Sequence, residues 1–311
     1  MLISVGPLKD AEVPQPYFNH AVTAVLNDDG SYLLMDSTDE NTQQLFPAYL
    51  ANKSILVARP EGDTLRTSPF SPAKENMLFI DANGEIKRDG SFEATAQITF
   101  DGINDNAYRG TFASYTPQQQ RQFFERVVKH VAPGATLKTF EITPKNMLDT
   151  KDILKATLAI STDANLFVHN GDNAMLDIPQ FGYSLGIINF ILRATGLEKR
   201  KYPLLTDIAC GVEEHFTIKI APEWGNPAAL PEFKDINEAP FFWTKKLAFN
   251  PQDRTLKLDK YFAIDAVQFS PEQYAQLKGH LKAIEVNDRK MAIFKCTPQP
   301  AALAKSEEPR G

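Results

Sequence analysis

Two side chains near the start of the chain, His20 and Asp36, are of the types that assist nucleophilic catalysis. They stand at the head and at the foot of two apolar runs, residues 18–26 and 31–36, within FNHAVTAVLNDDGSYLLMDSTDE. A carboxylate that accepts an imidazole N–H fixes the tautomer of the ring and stabilises the imidazolium that forms when the ring takes a proton. The pair therefore supplies two thirds of a nucleophilic triad, and the nucleophile has to be sought elsewhere.

The two apolar runs must bring these side chains together if they are to act as a pair. They are separated by NDDG, whose Asp29-Gly30 step suits the positive φ angles of a hairpin turn, so we expect an antiparallel hairpin. Only some loop lengths place Asp36 on the face of His20. Depending on the length of the loop, Asp36 falls opposite Ala21, Val22 or Thr23. His20 and Asp36 become diagonal neighbours if Asp36 pairs with Val22 or if the register is shifted from that pairing by two residues.

The chain offers two thiols, Cys210 and Cys296. Cys210 lies in LTDIACGVEEHF with Asp207 and His215 close in sequence, which is either a second Cys, His and Asp set or a small apolar residue entering a strand; we favour the second interpretation. Cys296 adjoins the C-terminal tail. Two distant cysteines form neither a disulfide framework nor a zinc pattern, although a single bridge stays open, and we assign no cofactor and no metal.

The sequence around His20 and Asp36 resembles the second half of the transglutaminase-like catalytic domain, a papain-like α+β fold. The resemblance lies in FNHAVTAV followed by YLLMDSTDE, with a D-G turn between them. It implies that His20 is the general base and Asp36 its orienting carboxylate. It also assigns two residues to the histidine motif and two to the aspartate motif: Phe18 and Asn19, and Thr38 and Asp39.

The resemblance also implies a function and a missing part. In that family the nucleophilic cysteine precedes the histidine by tens of residues, whereas the nineteen residues before His20 contain no cysteine. We therefore expect a fragment of a bacterial multidomain cysteine hydrolase or acyltransferase that acts on protein or peptide amide bonds. The fragment should be inactive alone, and the parent protein should be periplasmic or secreted. The opening LISV, a strand interior without a preceding turn, fits a cut end.

Periodicity and turn signals predict an α+β, β-rich fold. We expect a partial transglutaminase-like core sheet followed by antiparallel β-sandwich-type domains with two amphipathic helices. The stretch RPEGDTLRTSPFSPAKEN is the best candidate boundary. The expected units are residues 1–70 for the core part, 71–230 for a β-rich accessory domain with one helix, 231–297 for strands plus a helix that can pack with the preceding domain, and 298–311 for a disordered tail.

The clearest elements are one strand and two helices. GSFEATAQITF alternates apolar and polar residues, which predicts a half-buried strand. TPQQQRQFFERVVKHV and SPEQYAQLKGHLKAI each begin with a hydroxyl residue, a proline and, at the third helical position, a glutamine. This arrangement predicts a capping box at the start of an amphipathic helix in both segments.

Composition narrows the class of partner. A net charge of -6 and a pI of about 5.5 argue against a nucleic-acid partner. The most apolar stretch, LGIINFILRA, is half the length of a membrane helix and carries Arg193, so we expect no membrane span.

The alternative function is a non-catalytic binding or scaffolding module. Aromatic stretches such as APFFWTKK and KYFAIDAVQF could then bind sugars, although aromatic residues on strands more often form a core. The oligomeric state stays open.

Overall fold

The computed structural model describes residues 1–13 and 17–295, and it has the expected α+β, β-rich character with several sheets. The predicted disordered tail, 298–311, and Cys296 lie outside the described residues. No described helix is long and apolar enough to cross a membrane.

The first part of the chain contains six short strands in two small sheets. A four-stranded sheet has the order β2-β1-β5-β6, and β3 and β4 form a separate hairpin. The strands are β1 (Leu2–Ser4), β2 (His20–Ala21), β3 (Thr23–Leu26), β4 (Tyr32–Met35), β5 (Ser54–Leu56) and β6 (Arg66–Thr67).

The predicted hairpin around NDDG is present, but its first run is divided between the two sheets. β3 pairs with β4, and the turn closes with Gly30 at a φ of 82°. Its backbone pattern, with Asn27 paired to Ser31, is a three-residue loop in which glycine takes the left-handed position. β2 pairs instead with β1, because the backbone of Val22 exchanges hydrogen bonds with Met1.

The rest of the chain forms one large sheet with smaller sheets beside it. Its strands are β7 (Met77–Ile86), β8 (Phe92–Phe100), β9 (Thr136–Thr143), β10 (Lys155–Thr162), β11 (Phe167–Asn170), β12 (Asn173–Leu176), β13 (Leu204–Leu205), β14 (Cys210–Ile220), β15 (Pro227–Ala229), β16 (Ile236–Glu238), β17 (Phe241–Asn250), β18 (Thr255–Ile264), β19 (Gln268–Phe269) and β20 (Ala292–Lys295). The α-helices are α1 (Ile103–Ser114), α2 (Pro117–Val128), α3 (Ile188–Arg193) and α4 (Pro271–Asp288). Short 3₁₀ turns cover Ala48–Leu50, Ala73–Glu75 and Pro222–Trp224.

The large sheet has eight strands in the order β16-β17-β18-β14-β7-β8-β10-β9. All neighbours are antiparallel except β14 and β7, which run parallel. Strands from the expected units 71–230 and 231–297 pair directly within it, since β14 bonds to β18 along ten residue pairs. The smaller sheets have the orders β11-β12-β20-β15 and β13-β19.

One face of the large sheet is buried and the other is open. In β8 the apolar residues of GSFEATAQITF alternate with exposed polar ones, as its sequence predicts. The same alternation continues in β7, β14 and β18. An antiparallel sheet with one face covered by helices and one face toward water has this pattern.

The part of the chain that the structure describes has four α-helices, whereas the sequence predicted two amphipathic ones. α2 and α4 begin with the predicted capping boxes, at Thr116 and Ser270. α1 was not predicted because INDNAYRGTFAS is rich in poor helix formers, and its N-cap, Gly102, makes no side-chain capping bond. It is held by its tertiary contacts instead, above all by those of Arg109. α3 has only six residues, too few for a periodic signal.

The described residues form three apolar clusters: a large core, a small core, and a third group of three alanines, Ala73, Ala209 and Ala263. The small core, between the sheets of the first part, contains five buried residues: Ile3, Val22, Leu34, Leu50 and Ile55. The large core covers the buried face of the eight-stranded sheet and includes Ala48 from the first part. Among the described residues, polar links also join the parts, namely Asp39 with Asn106 and Lys53 with Asp207.

Candidate functional site

The structure brings His20 and Asp36 into direct contact. The ladder between β3 and β4 pairs Thr23 with Met35, so its continuation sets Val22 opposite Asp36, which is the middle of the three registers left open above. The Nε2 atom of His20 lies 2.8 Å from Oδ2 of Asp36. This is a hydrogen bond between the head of the first apolar run and the foot of the second.

The Asp36 carboxylate is fixed on both of its oxygens. Its side chain has no solvent exposure. While Oδ2 meets His20, Oδ1 accepts the backbone N–H of Thr38 at 3.0 Å and the Thr38 hydroxyl at 2.7 Å. Burial acts to raise the pKa of Asp36, but the hydrogen bonds from Thr38 and His20 outweigh it and hold that pKa below its usual value. The group is therefore a carboxylate at neutral pH.

The carboxylate determines which nitrogen of His20 is available for chemistry. An ionised carboxylate only accepts hydrogen bonds, so Nε2 carries the proton of this contact. In the neutral ring Nδ1 is then an acceptor, and no other described side chain hydrogen-bonds to the ring. The side chain is 24% exposed, so part of the ring faces solvent. The arrangement can take a proton at Nδ1 and stabilise the imidazolium that results.

The four supporting residues have separate roles. Thr38 holds the carboxylate, as described above. The Asn19 side chain exchanges two hydrogen bonds with the backbone of Val5, at 2.7 and 3.1 Å, and thereby anchors the residue before His20. The Phe18 ring lies under the ammonium group of Lys9, 5.4 Å from its centroid.

Asp39 does not contact the pair. Its carboxylate accepts hydrogen bonds from the Tyr49 hydroxyl at 3.1 Å and from the Asn106 amide at 2.7 Å. Burial and the neighbouring Asp39 raise the pKa of Tyr49. Asp39 therefore joins the first part of the chain to α1.

The thiol of Cys210 is not placed to serve this pair. It is buried in the large core, and burial raises its pKa to about 12, so it stays a thiol at neutral pH. The residues near it in sequence point elsewhere. His215 bonds to Asp259 and Glu213 on the open face of the sheet, and Asp207 pairs with Lys53.

The sequence did not reveal a second group of charged side chains, on the buried face of the large sheet. Glu214, Lys245 and Lys260 lie on three adjacent strands and are direct cross-strand neighbours, since Lys260 pairs with both of the others. All three are buried. A signal was available: CGVEEHFTIKI, FFWTKKLAFN and TLKLDKYFAI each carry one charged residue in the middle of their inward apolar alternation.

A cavity of about 870 Å³ lies over this charged row. Its walls are α1, α2 and the segment 180–193, and Lys260 and Asp288 also line it. No described residue of 1–70 lines the cavity, so it is separate from the His20 and Asp36 site.

Comparison with protein-family models, curated proteins and solved structures finds no match for this chain. Among the described residues, no group of three or more His, Cys, Asp or Glu side chains is arranged to hold a metal ion. Functional interpretation therefore rests on the two sites themselves, an oriented imidazole near the N-terminus and a cationic cavity on the large sheet.

Proposed function

We propose that His20 and Asp36 are the general base and the orienting carboxylate of a transglutaminase-like cysteine hydrolase or acyltransferase that acts on amide bonds. The proposal draws on the resemblance around FNHAVTAV and YLLMDSTDE. Its substrate class, a protein or peptide amide, comes from the same resemblance. The thiol is contributed by a residue other than Cys210; by the resemblance it belongs to a helix that precedes the histidine.

The observation that carries the proposal is the fixation of Asp36. Its carboxylate is fully buried and receives two hydrogen bonds from Thr38 besides the one from His20. A surface ion pair needs no such support, whereas a carboxylate that must orient a base does, because the ring has to stay in one tautomer and one direction through the reaction.

In the proposed reaction, Nδ1 of His20 is the atom that takes and gives the proton. His20 takes the proton of the thiol, and the thiolate attacks the amide carbonyl carbon to form a tetrahedral oxyanion. The imidazolium then gives its proton to the departing amine as the C–N bond breaks, which leaves a thioester. Water or a second amine attacks the thioester while His20 again takes a proton, and that proton returns to the thiolate. Asp36 stabilises the imidazolium in both halves.

The first test concerns the chain by itself. Because the base has no suitably placed thiol among the described residues, we expect no turnover in assays of amine incorporation and of peptide cleavage, with or without iodoacetamide. Turnover that iodoacetamide abolishes would contradict this expectation and return attention to the cysteines of this chain, of which Cys210→Ala would identify the one responsible.

The second test concerns the parent protein. The gene product that includes every in-frame codon before that of Met1 is assayed as the unaltered protein and with His20→Ala or Asp36→Ala. We expect thiol-dependent acyl transfer that falls by about 10³-fold or more in each variant, as for other triad members. His215→Ala, which removes an exposed histidine that also bonds to an aspartate, is the matched control and should retain activity. Equal activity in all variants would remove the proposed role.

A binding module is the second candidate, and the cavity over the charged row favours it. In that case the long gene product shows no thiol-dependent turnover, while ligands still bind to the cavity. The two candidates are therefore separable by the same protein preparation.

A further inference from the structure

The charged row on the buried face of the sheet consists of Glu214, Lys245 and Lys260. It lowers the stability of the fold unless each charged group has a hydrogen-bond or ion-pair partner. Lys245 finds one, since its ammonium group lies 2.9 Å from Oδ1 of Asp288. Glu214 accepts the backbone N–H groups of Phe181 and Gly182 at 2.6 and 3.2 Å, and thereby holds the loop that forms one wall of the cavity.

Lys260 is the member of the row with unused donors. Its ammonium group is 3.2 Å from Oε1 of Gln180 and 4.1 Å from the centroid of the Tyr183 ring. Its distance to Asp288, 3.9 Å, is too long for a hydrogen bond. An ammonium group has three N–H donors, so at least one is free to meet a ligand. Burial lowers the pKa of Lys260, and the carboxylates of Asp288 and Glu214 act against that shift.

Arginines on the walls of the cavity add further positive charge. Arg126 and Arg193 line it, and within the described residues neither side chain forms an ion pair or a side-chain hydrogen bond. Arg193 stacks on Phe190 instead, at 5.3 Å. The one acidic residue that lines the cavity, Asp288, is already engaged by Lys245.

The lining also includes aromatic residues: Tyr108, Tyr115, Phe123, Phe181, Tyr183 and Phe190. A cavity of about 870 Å³ falls within the usual range of small-molecule sites. A ligand that suits it needs an acidic group for the cations and an apolar body for the rings.

We propose that this cavity binds a small amphipathic organic anion, whose carboxylate or phosphate accepts hydrogen bonds from Lys260 and whose aromatic or aliphatic body packs against Tyr183 and Phe123. Arg126 and Arg193 stand at the exposed rim and attract the anion. This binding activity is additional to acyl transfer, because the cavity has no residue in common with the His20 site.

The test compares ligands that share one apolar body. The probes are 1-naphthoate, 1-naphthyl phosphate and the uncharged 1-naphthalenemethanol, titrated into the whole chain by calorimetry. We expect at least one anion to bind about tenfold or more tightly than the alcohol, the ratio that one charge-assisted hydrogen bond gives. The relative affinities of the two anions identify the acidic group that the site prefers. Equal binding of all three, or no binding of either anion at millimolar concentration, would overturn the proposal.

Variants locate the site. Lys260→Met should abolish the preference for the anion, whereas Lys257→Met, on the same strand but on its open face, should keep it. Arg126→Gln and Arg193→Gln together should weaken anion binding about threefold to tenfold and leave the alcohol unaffected. Arg121→Gln, on α2 but paired with Glu125, is their control. The rim variants decide the matter if Lys260→Met does not fold, and unchanged anion affinity in them would then refute the site.

Discussion

His20 and His215 each bond to an aspartate, and burial distinguishes the two pairs. The His20 and Asp36 atoms are 2.8 Å apart, and those of His215 and Asp259 are 2.6 Å apart. The Asp36 side chain is fully buried, whereas that of Asp259 is 58% exposed. An exposed carboxylate can take several orientations, whereas a buried carboxylate with both oxygens hydrogen-bonded is held in one. Distance alone would have ranked the surface pair first.

The state of Asp36 makes a prediction about stability and pH. Its pKa is lower in the folded chain than in the unfolded chain, so the stabilisation that it gives is fully present above the unfolded value of about 3.9 and is lost as the pH falls through the folded value. Asp36→Asn should cost about 2 kcal/mol of unfolding free energy at pH 7. The difference from the unaltered chain should shrink below about pH 4.

Urea unfolding at several pH values measures this difference. Asp259→Asn is the control, since an exposed carboxylate should change stability by less than about 0.5 kcal/mol. A cost of Asp36→Asn that stays constant down to pH 3 would show that the ionised carboxylate is not what stabilises the site.

The types and spacing of His20 and Asp36 were readable from the sequence, and so was the hairpin that joins them. The register of the two strands was not readable, because the sequence allows several loop lengths and each length pairs Asp36 with a different residue. Thr38 could be anticipated as a neighbour of Asp36, since its contact is local. The link from Asp39 to Asn106 could not, because it joins residues that no local pattern relates.

At the scale of elements, local signals predicted what local interactions stabilise. The capping boxes of α2 and α4 form entirely from residues within one turn, and the structure has both. α1 depends on distant partners. The Arg109 guanidinium makes two hydrogen bonds to Asp105 and three to the carbonyl groups of residues 147, 149 and 152. Such a helix carries little signal in its own sequence.

Arg109 and Arg121 provide a matched comparison between neighbouring helices. Each pairs with an acidic residue four positions away, but Arg109 is fully buried while Arg121 is exposed. Arg109→Met should destabilise the chain by about 3–5 kcal/mol, because it leaves Asp105 buried without its counter-ion. Arg121→Met should cost less than about 0.5 kcal/mol. Thermal unfolding followed by circular dichroism compares them, and similar losses in both would contradict the assigned role of burial.

The pairing of strands in the large sheet could not be predicted from local sequence either, because it depends on residues that are distant in the chain. The alternation in β8 predicted a half-buried strand, but nothing in a strand's own pattern names its neighbour. The parallel pairing of β7 with β14 joins segments far apart in sequence. The antiparallel pairing of β14 with β18 places Glu214 in the row with Lys245 and Lys260. The composition of each strand therefore predicts burial, while the site that the strands build together emerges only from the sheet order.

At the scale of the whole molecule, the first part of the chain is the weaker one. Its small core has five buried residues, and its hairpin β3–β4 exposes most of one strand. Among the described residues, two polar links and Ala48 tie it to the large core. Local stability follows the number of buried apolar contacts, so opening should begin there.

Hydrogen exchange can show this order of opening and the role of one link. We expect the backbone amides of β3 and β4 to exchange faster than those of β8 and β14, because the small core gives less protection. Asn106→Ala removes the hydrogen bond from α1 to Asp39 and should raise exchange in β3 and β4 by about fivefold, with β8 and β14 unchanged. Asn83→Ala, on the open face of β7, is the matched control and should alter neither group. If Asn106→Ala instead accelerates exchange throughout the large sheet, the two parts open together, and the His20 site is then as stable as the core beside it.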